Sequence, residues 1–150
     1  KSIEVFDSID HINMNAINNS SAKLIPVNSI LMVIRSGILK RTLPVAINKV
    51  EVAVNQDMKA FIVSDKIRPE YLLFYFIMTQ SNILRHVRSV TADNIEFNLI
   101  KNLVLPLPPY SIQNKFAEIV TKIEEQKAIV KQAITESENL FNSLMSEYFD

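Results

Sequence analysis

The spacing of hydrophobic positions changes three times along the chain, and each change predicts a different kind of element. Up to about Leu24 the apolar residues come in short pieces such as Ile3 to Phe6, set among Asn13, Asn15, Asn18, Asn19 and serines, which predicts a loop-rich opening. Four short β-prone runs follow, Ile30 to Ile34, Leu43 to Ile47, Val50 to Val54 and Ala60 to Val63, separated by polar or turn residues. Val50, Val52 and Val54 alternate with Glu51 and Ala53, as a strand with one buried face would. The four runs predict a small, mainly antiparallel sheet or barrel, and with the helices that follow an α/β (α+β) head.

The period then lengthens. Pro69 is well tolerated at a first helical position, Glu70 suits the positive end of a helix dipole, and the pairs Leu72/Phe76 and Leu73/Ile77 recur at i, i+4, so a helix is expected from Pro69 with these residues in the core. A second short helix is expected to open at Asp93 or Asn94 and to cover Ile95, Leu99 and Ile100. Leu103 to Leu105 reads as a strand running into Pro106-Leu-Pro-Pro109, whose prolines force an extended connection. That connection divides the chain into a head, residues 1–110, and a tail, residues 111–150.

From Ser111 to about Phe149 there is no Pro or Gly, and a heptad runs throughout. Its a positions are Val120, Lys127, Ile134, Phe141 and Tyr148, and its d positions Phe116, Ile123, Val130, Ser137 and Leu144; only Lys127 and Ser137 are not apolar. Ile112, Ile119, Ala133 and Leu140 make most of the g row apolar too. A face that wide, on a helix that long, is expected to pair with another helix through Phe116, Val120, Ile123, Val130, Ile134, Phe141 and Leu144.

Composition narrows the chemistry. With 48% hydrophobic and 21% charged residues and a mean hydropathy of +0.12, the chain reads as globular. It has no cysteine, which excludes disulfides, thiolate zinc sites and thiol nucleophiles and fits a reducing cytoplasm. Its single glycine, Gly37, excludes the multi-glycine loops that cradle phosphates, so no nucleotide cofactor is expected. The longest apolar run, Tyr71 to Met78, falls far short of the ~20 residues of a membrane span. No signal-peptide pattern follows Lys1, and the chain reads as part of a longer protein. Net charge is zero but uneven: residues 1–110 hold 12 Lys and Arg against 9 Asp and Glu, and residues 111–150 hold 4 against 7.

No catalytic constellation is apparent. Leu107-Pro-Pro-Tyr110 looks like the Asp/Asn-Pro-Pro-Tyr signature of amino-methyltransferases, but leucine stands where a polar group must accept from the target amine. His11 and His86 are far apart in sequence, His86 has Arg85 and Arg88 as neighbours, and the stretch around Asp7 and His11 does not read as helical, so no metal site is expected. What remains is basic and amide-rich. Arg35-Ser-Gly-Ile-Leu-Lys40-Arg41-Thr42 joins two expected strands, with Gly37 permitting a turn. Arg85, Arg88, Ser89, Thr91 and Asn94 join the two expected helices, and Asn55, Gln56 and nearby Lys59 lie at a turn between strands. Hydroxyls, amides and cations of this kind suit phosphates and base edges, and turn chemistry accounts equally well for the Asn and Asp.

Several of these segments together resemble the DNA-specificity subunit of type I restriction-modification systems. They are Leu24-Ile-Pro-Val-Asn-Ser-Ile-Leu-Met-Val-Ile-Arg35, Asn55-Gln-Asp-Met-Lys-Ala60, and Leu103-Val-Leu-Pro-Leu-Pro-Pro109 followed by Gln113 and the long helix. The resemblance implies part of a target recognition domain that grips one half of a split double-stranded DNA site, plus one spacer helix. It implies partners as well: methyltransferase subunits, restriction subunits through them, and a second specificity-type helix or a second copy of the chain. Methylation and cleavage would reside on those partners, leaving this chain non-catalytic, without cofactor or membrane, in the bacterial cytoplasm. The alternative is a structural coiled-coil oligomerisation module whose small head binds no DNA.

Overall fold

In the computed structural model of the chain, which describes residues 3–85, 87 and 94–149, the elements follow in the order β1 (Glu4–Val5), α1 (Met14–Asn18), β2 (Ile30–Val33), a 3-10 turn (Gly37–Lys40), β3 (Val45–Asn48), β4 (Met58–Phe61), α2 (Pro69–Leu84), α3 (Phe97–Lys101) and α4 (Tyr110–Phe149). The four strands form one sheet in the order β1-β3-β2-β4. β2 is antiparallel to both β3 and β4, whereas β1 runs parallel to β3, so the architecture is α+β with a mixed sheet.

Burial explains why β2 reads as an unbroken apolar run. Ile30, Leu31 and Met32 are all buried, so both of its faces are covered. Ile30, Met32 and Ile47 join Leu72, Leu73 and Phe76 of α2, together with Leu39, Ile83, Ile95 and Ile100, in one core. Phe61 extends this core to the sheet edge, with its ring 5.2 Å from that of Phe76 and 6.1 Å from that of Phe97. Each large apolar side chain so buried contributes about 1.5–3 kcal/mol. Pro69 opens α2 as its spacing requires, and Leu72, Leu73 and Phe76 face the core.

Three local expectations are corrected and one is refined. Val50 to Val54 is not a strand and adds to neither edge of the sheet; only Val52 pairs, in an isolated bridge with Ile25. The loop-rich opening also carries two short elements: Ile3 and Val5 accept the Ile47 and Lys49 amides to build β1, and Asn13 caps the single turn of α1. The short helix begins at Phe97, beyond Asn94, because Asn94 is drawn into an antiparallel bridge with Arg35; Asp93 lies outside the described residues. Leu103 to Leu105 forms no strand and is held instead by two tyrosines described below.

The chain divides into two compact units, Lys1–Gln113 and Asn114–Asp150. α4 opens in the first and continues through the second as a helix of 40 residues, about 60 Å at 1.5 Å per residue. Of its expected pairing residues, Phe116 is half-buried and Val120 buried, while Ile123, Val130, Ile134, Phe141 and Leu144 are exposed. No helix among the described residues is long and apolar enough to cross a membrane.

Candidate nucleic-acid interface

Sheet topology decides which of the polar residues meet. β2 is antiparallel to both neighbours, so its C-terminal end lies beside the N-terminal ends of β3 and β4, with Met32 opposite Val45 and Val33 opposite Met58. The Arg35 to Thr42 connection leaves and returns at that end, and the Asn55 to Asp57 turn feeds β4 there. Asn94 joins from the far side through its bridge to Arg35, and the Ile95 amide donates to the Ile34 carbonyl at 2.7 Å. Three segments some 20 to 60 residues apart in sequence thus meet at one end of the sheet.

The backbone around Arg35 is pinned from both sides. The amides of Ile34 and Arg35 both donate to the Asp57 carbonyl, at 2.8 and 3.2 Å. Across this contact Arg35 Nη1 stands 3.5 Å from Asp57 Oδ1. Asn55 and Gln56 are exposed; Asn55 Oδ1 accepts the Asp57 amide at 3.0 Å, the local turn bond that Asn favours, which leaves its Nδ2 as a donor.

Beyond Arg35 the connection is ordered by Ser36, whose side chain accepts from the Ile38 amide and caps the 3-10 turn. Gly37 supplies no left-handed conformation, since no glycine has positive φ; the turn expected from it is made by Ser36. Leu39 plugs into the core while Lys40 and Arg41 on either side are exposed. Thr42 is turned towards α2: its hydroxyl and the Leu43 amide both donate to Gln80 Oε1 at 3.4 Å. The same bonds bring the C-terminal part of α2 to this end of the sheet. Arg85, just past α2, donates from Nη2 to Asn82 Oδ1 at 2.9 Å. Arg88, Ser89, Thr91 and His86 lie outside the described residues.

Two lysines share one ring nearby. Lys59 Nζ stands 5.6 Å and Lys101 Nζ 5.0 Å from the centre of Phe97, each within cation-π range and worth about 0.5–1 kcal/mol where exposed. Two like charges on one ring repel, and a bound anion would relieve that repulsion. Lys101, Phe97, Asp57 and Gln80 are absent from the expected site. Their sequence distance from Lys59, Arg35 and Thr42 is the reason, and only the Asn55-Gln-Asp motif hinted at one of them.

Elsewhere the polar groups serve structure. Asn48, at the opposite end of β3, is fully buried; its Oδ1 accepts the Ser29 amide and its Nδ2 donates to the carbonyls of Pro26 and Val50, all at 2.8 Å. The Pro26 to Ser29 turn held this way carries Asn28 at φ 61°, a left-handed value that asparagine tolerates. Gln113 is buried as well. Its Oε1 accepts the Arg68 amide at 2.9 Å, and its Nε2 donates to the carbonyls of Lys66 and Pro108 at 3.1 and 3.0 Å. The extended segment before it is fastened by Tyr71 and Tyr75, one turn apart on α2, whose hydroxyls donate to the Pro106 and Val104 carbonyls at 2.6 and 2.9 Å. Burial, with Tyr71 beside it, pushes the Tyr75 phenol pKa up. Tyr110, the aromatic of the methyltransferase-like tetrad, hydrogen-bonds Arg68 and with Glu70 holds that guanidinium above its ordinary pKa against partial burial.

His11 Nε2 lies 2.8 Å from Asp7 Oδ1 on the surface, a contact that, with the Ser8 amide, holds the Asp7 carboxyl below its usual range. Both line an open groove of about 640 Å³ with Asp10 and the Val50 to Asn55 segment. Among the described residues no group of three or more His, Cys, Asp or Glu could hold a metal ion. What this surface can do is present fixed N–H donors and cations.

A small mixed sheet followed by a long helix is a fold shared with solved structures. A structure from work on complex assembly and conformational transition of the type I R-M system aligns with a TM-score of 0.62 at 20% identity, covering 81% of this chain and 29% of that one. The HsdS subunit from Thermoanaerobacter tengcongensis aligns with a TM-score of 0.53 at 17% identity, over 74% of this chain and 25% of its own. In sequence, the specificity subunit of the type I restriction enzyme EcoR124I/EcoR124II from Escherichia coli is 36% identical over 122 residues, covering 80% of this chain and 30% of that subunit. The model of the type I restriction modification DNA specificity domain matches residues 4–139. The chain belongs to that family and spans about 30% of the length of this curated relative.

Proposed function

We propose that this chain recognises DNA sequence for a type I restriction-modification complex. Residues 1–110 read one half of a bipartite double-stranded target, and residues 111–150 act as spacer and as docking element for methyltransferase subunits, through which restriction subunits join. Methylation and cleavage fall to those partners, no cofactor is required here, and the complex works in the bacterial cytoplasm. The observation that carries the reading is the meeting of Arg35, Lys40, Arg41, Asn55, Gln56 and Asn94 at one end of the sheet, with Lys59 two residues into β4. Family membership supports it independently.

Each phosphate neutralised by a lysine or arginine releases counterions, so affinity for duplex DNA should fall steeply with salt. Replacing Lys40 and Arg41 with alanine in the assembled methyltransferase should weaken binding and reduce the slope of log affinity against log salt by about 0.9 for each phosphate no longer neutralised. Unchanged affinity and slope would mean that this loop is only solvated surface. The spacer role has its own test in the exposed seam. An isolated copy of the chain should pair antiparallel through α4, and Ile134→Asp, which would bury an unpartnered carboxylate mid-seam, should yield a monomer with an intact head by light scattering and circular dichroism. A wild-type chain already monomeric at micromolar concentration would defeat the pairing.

A further inference from the structure

We propose that Arg35 reads a guanine in the DNA target, held in aim by Asp57. The inference rests on the DNA-recognition reading above and assigns one base to one side chain. The backbone at Arg35 is held from two sides: its amide and that of Ile34 are tied to Asp57, and Asn94 pairs with it in a bridge. Lys40 and Arg41 sit on a single 3-10 turn, whereas Arg35 continues directly from a strand buried on both faces. Base contacts carry the sequence information, and a fixed backbone origin suits a side chain that must find one base edge.

The carboxylate beside it points the same way. Asp57 Oδ1 is buried and accepts no hydrogen bond, and at 3.5 Å from Arg35 Nη1 it orients the guanidinium by charge without engaging an N–H. The planar fork of donors therefore stays open, with 54% of the Arg35 side chain exposed. A carboxylate this close repels the full charge of a phosphate more strongly than the partial charges of a neutral base edge, so its presence among cations favours a base edge over a backbone contact at this position. Of the base edges in the major groove, guanine offers the paired acceptors O6 and N7 that fit an arginine fork.

The test uses the full chain assembled with its methyltransferase subunits, presented with a randomised duplex library, and compares the motifs selected by wild type, Arg35→Lys, Arg35→Ala and Asp57→Asn. Arg35→Lys keeps the charge and loses the fork. It should cut the preference for guanine at one position about 10- to 100-fold and leave the other positions intact. Asp57→Asn should weaken the same position by less. Because Arg35 is exposed, its variants should assemble as wild type does, which gel filtration checks. The inference is overturned if Arg35→Lys selects the full wild-type motif, or if Arg35→Ala weakens all sequences equally with a shallower salt slope. The first outcome would mean that no guanidinium fork is read at this position and the second that Arg35 is a phosphate contact; in both the broader DNA-recognition reading would stand. A wild-type complex that selects no motif at all would remove that broader reading and this inference with it.

Discussion

The two ends of the sheet use the same amide chemistry to opposite effect. At the end where β3 finishes, Asn48 is 0% exposed and its oxygen and nitrogen are spent on three backbone partners. At the other end, Asn55 and Gln56 are exposed and Asn94 only half-buried, and Asn55 commits its oxygen to nothing more than a short-range turn bond. A buried amide holds the chain because a missing partner there cannot be replaced by water; an exposed one is energetically idle in the free protein and remains available to a ligand. Composition alone does not distinguish the two, since residue type and turn context are shared.

That contrast predicts a graded series of amide deletions, each followed by urea unfolding and by DNA binding of the assembled complex. Asn48→Ala should have the largest effect, about 3 kcal/mol of lost stability, because it strands the Ser29 amide and loosens the Pro26 to Ser29 turn. Gln113→Ala should cost about 2 kcal/mol, since it releases the Arg68 amide and the carbonyls of Lys66 and Pro108 together. Gln80 is intermediate. Gln80→Ala should cost about 1 kcal/mol through two long bonds, and it should also lower DNA affinity by freeing the connection that carries Lys40 and Arg41. Gln56→Ala, exposed and at the opposite extreme, should change stability by less than about 0.5 kcal/mol while altering DNA binding. A Gln56 variant as destabilised as the Asn48 one, or an Asn48 variant with unchanged midpoint, would erase the distinction between the two ends.

Local patterning was enough for some of this molecule. Pro69 with its i, i+4 apolar pairs, and the Pro-free, Gly-free heptads after Pro109, correctly indicate α2 and α4, because a helix makes its hydrogen bonds within its own segment. The apolar runs at Ile30, Leu43 and Ala60 likewise overlap β2, β3 and β4. Val50 to Val54 carries a clear strand alternation and still forms only a bridge with Ile25, since alternation marks a segment able to pair but not whether the fold brings a sheet edge to it. The same non-locality governs the candidate site. Residue types at Arg35, Lys40, Arg41, Asn55, Gln56 and Asn94 are legible in the sequence as candidate nucleic-acid contacts, but the Arg35–Asp57 pair, the contact of Lys59 with the Phe97 ring, and the diversion of Thr42 to Gln80 join residues about 20 to 40 positions apart. Periodicity along a chain encodes which residues face the core; only the antiparallel pairing of β2 with both neighbours decides which loops meet, because that pairing brings distant segments to a common end.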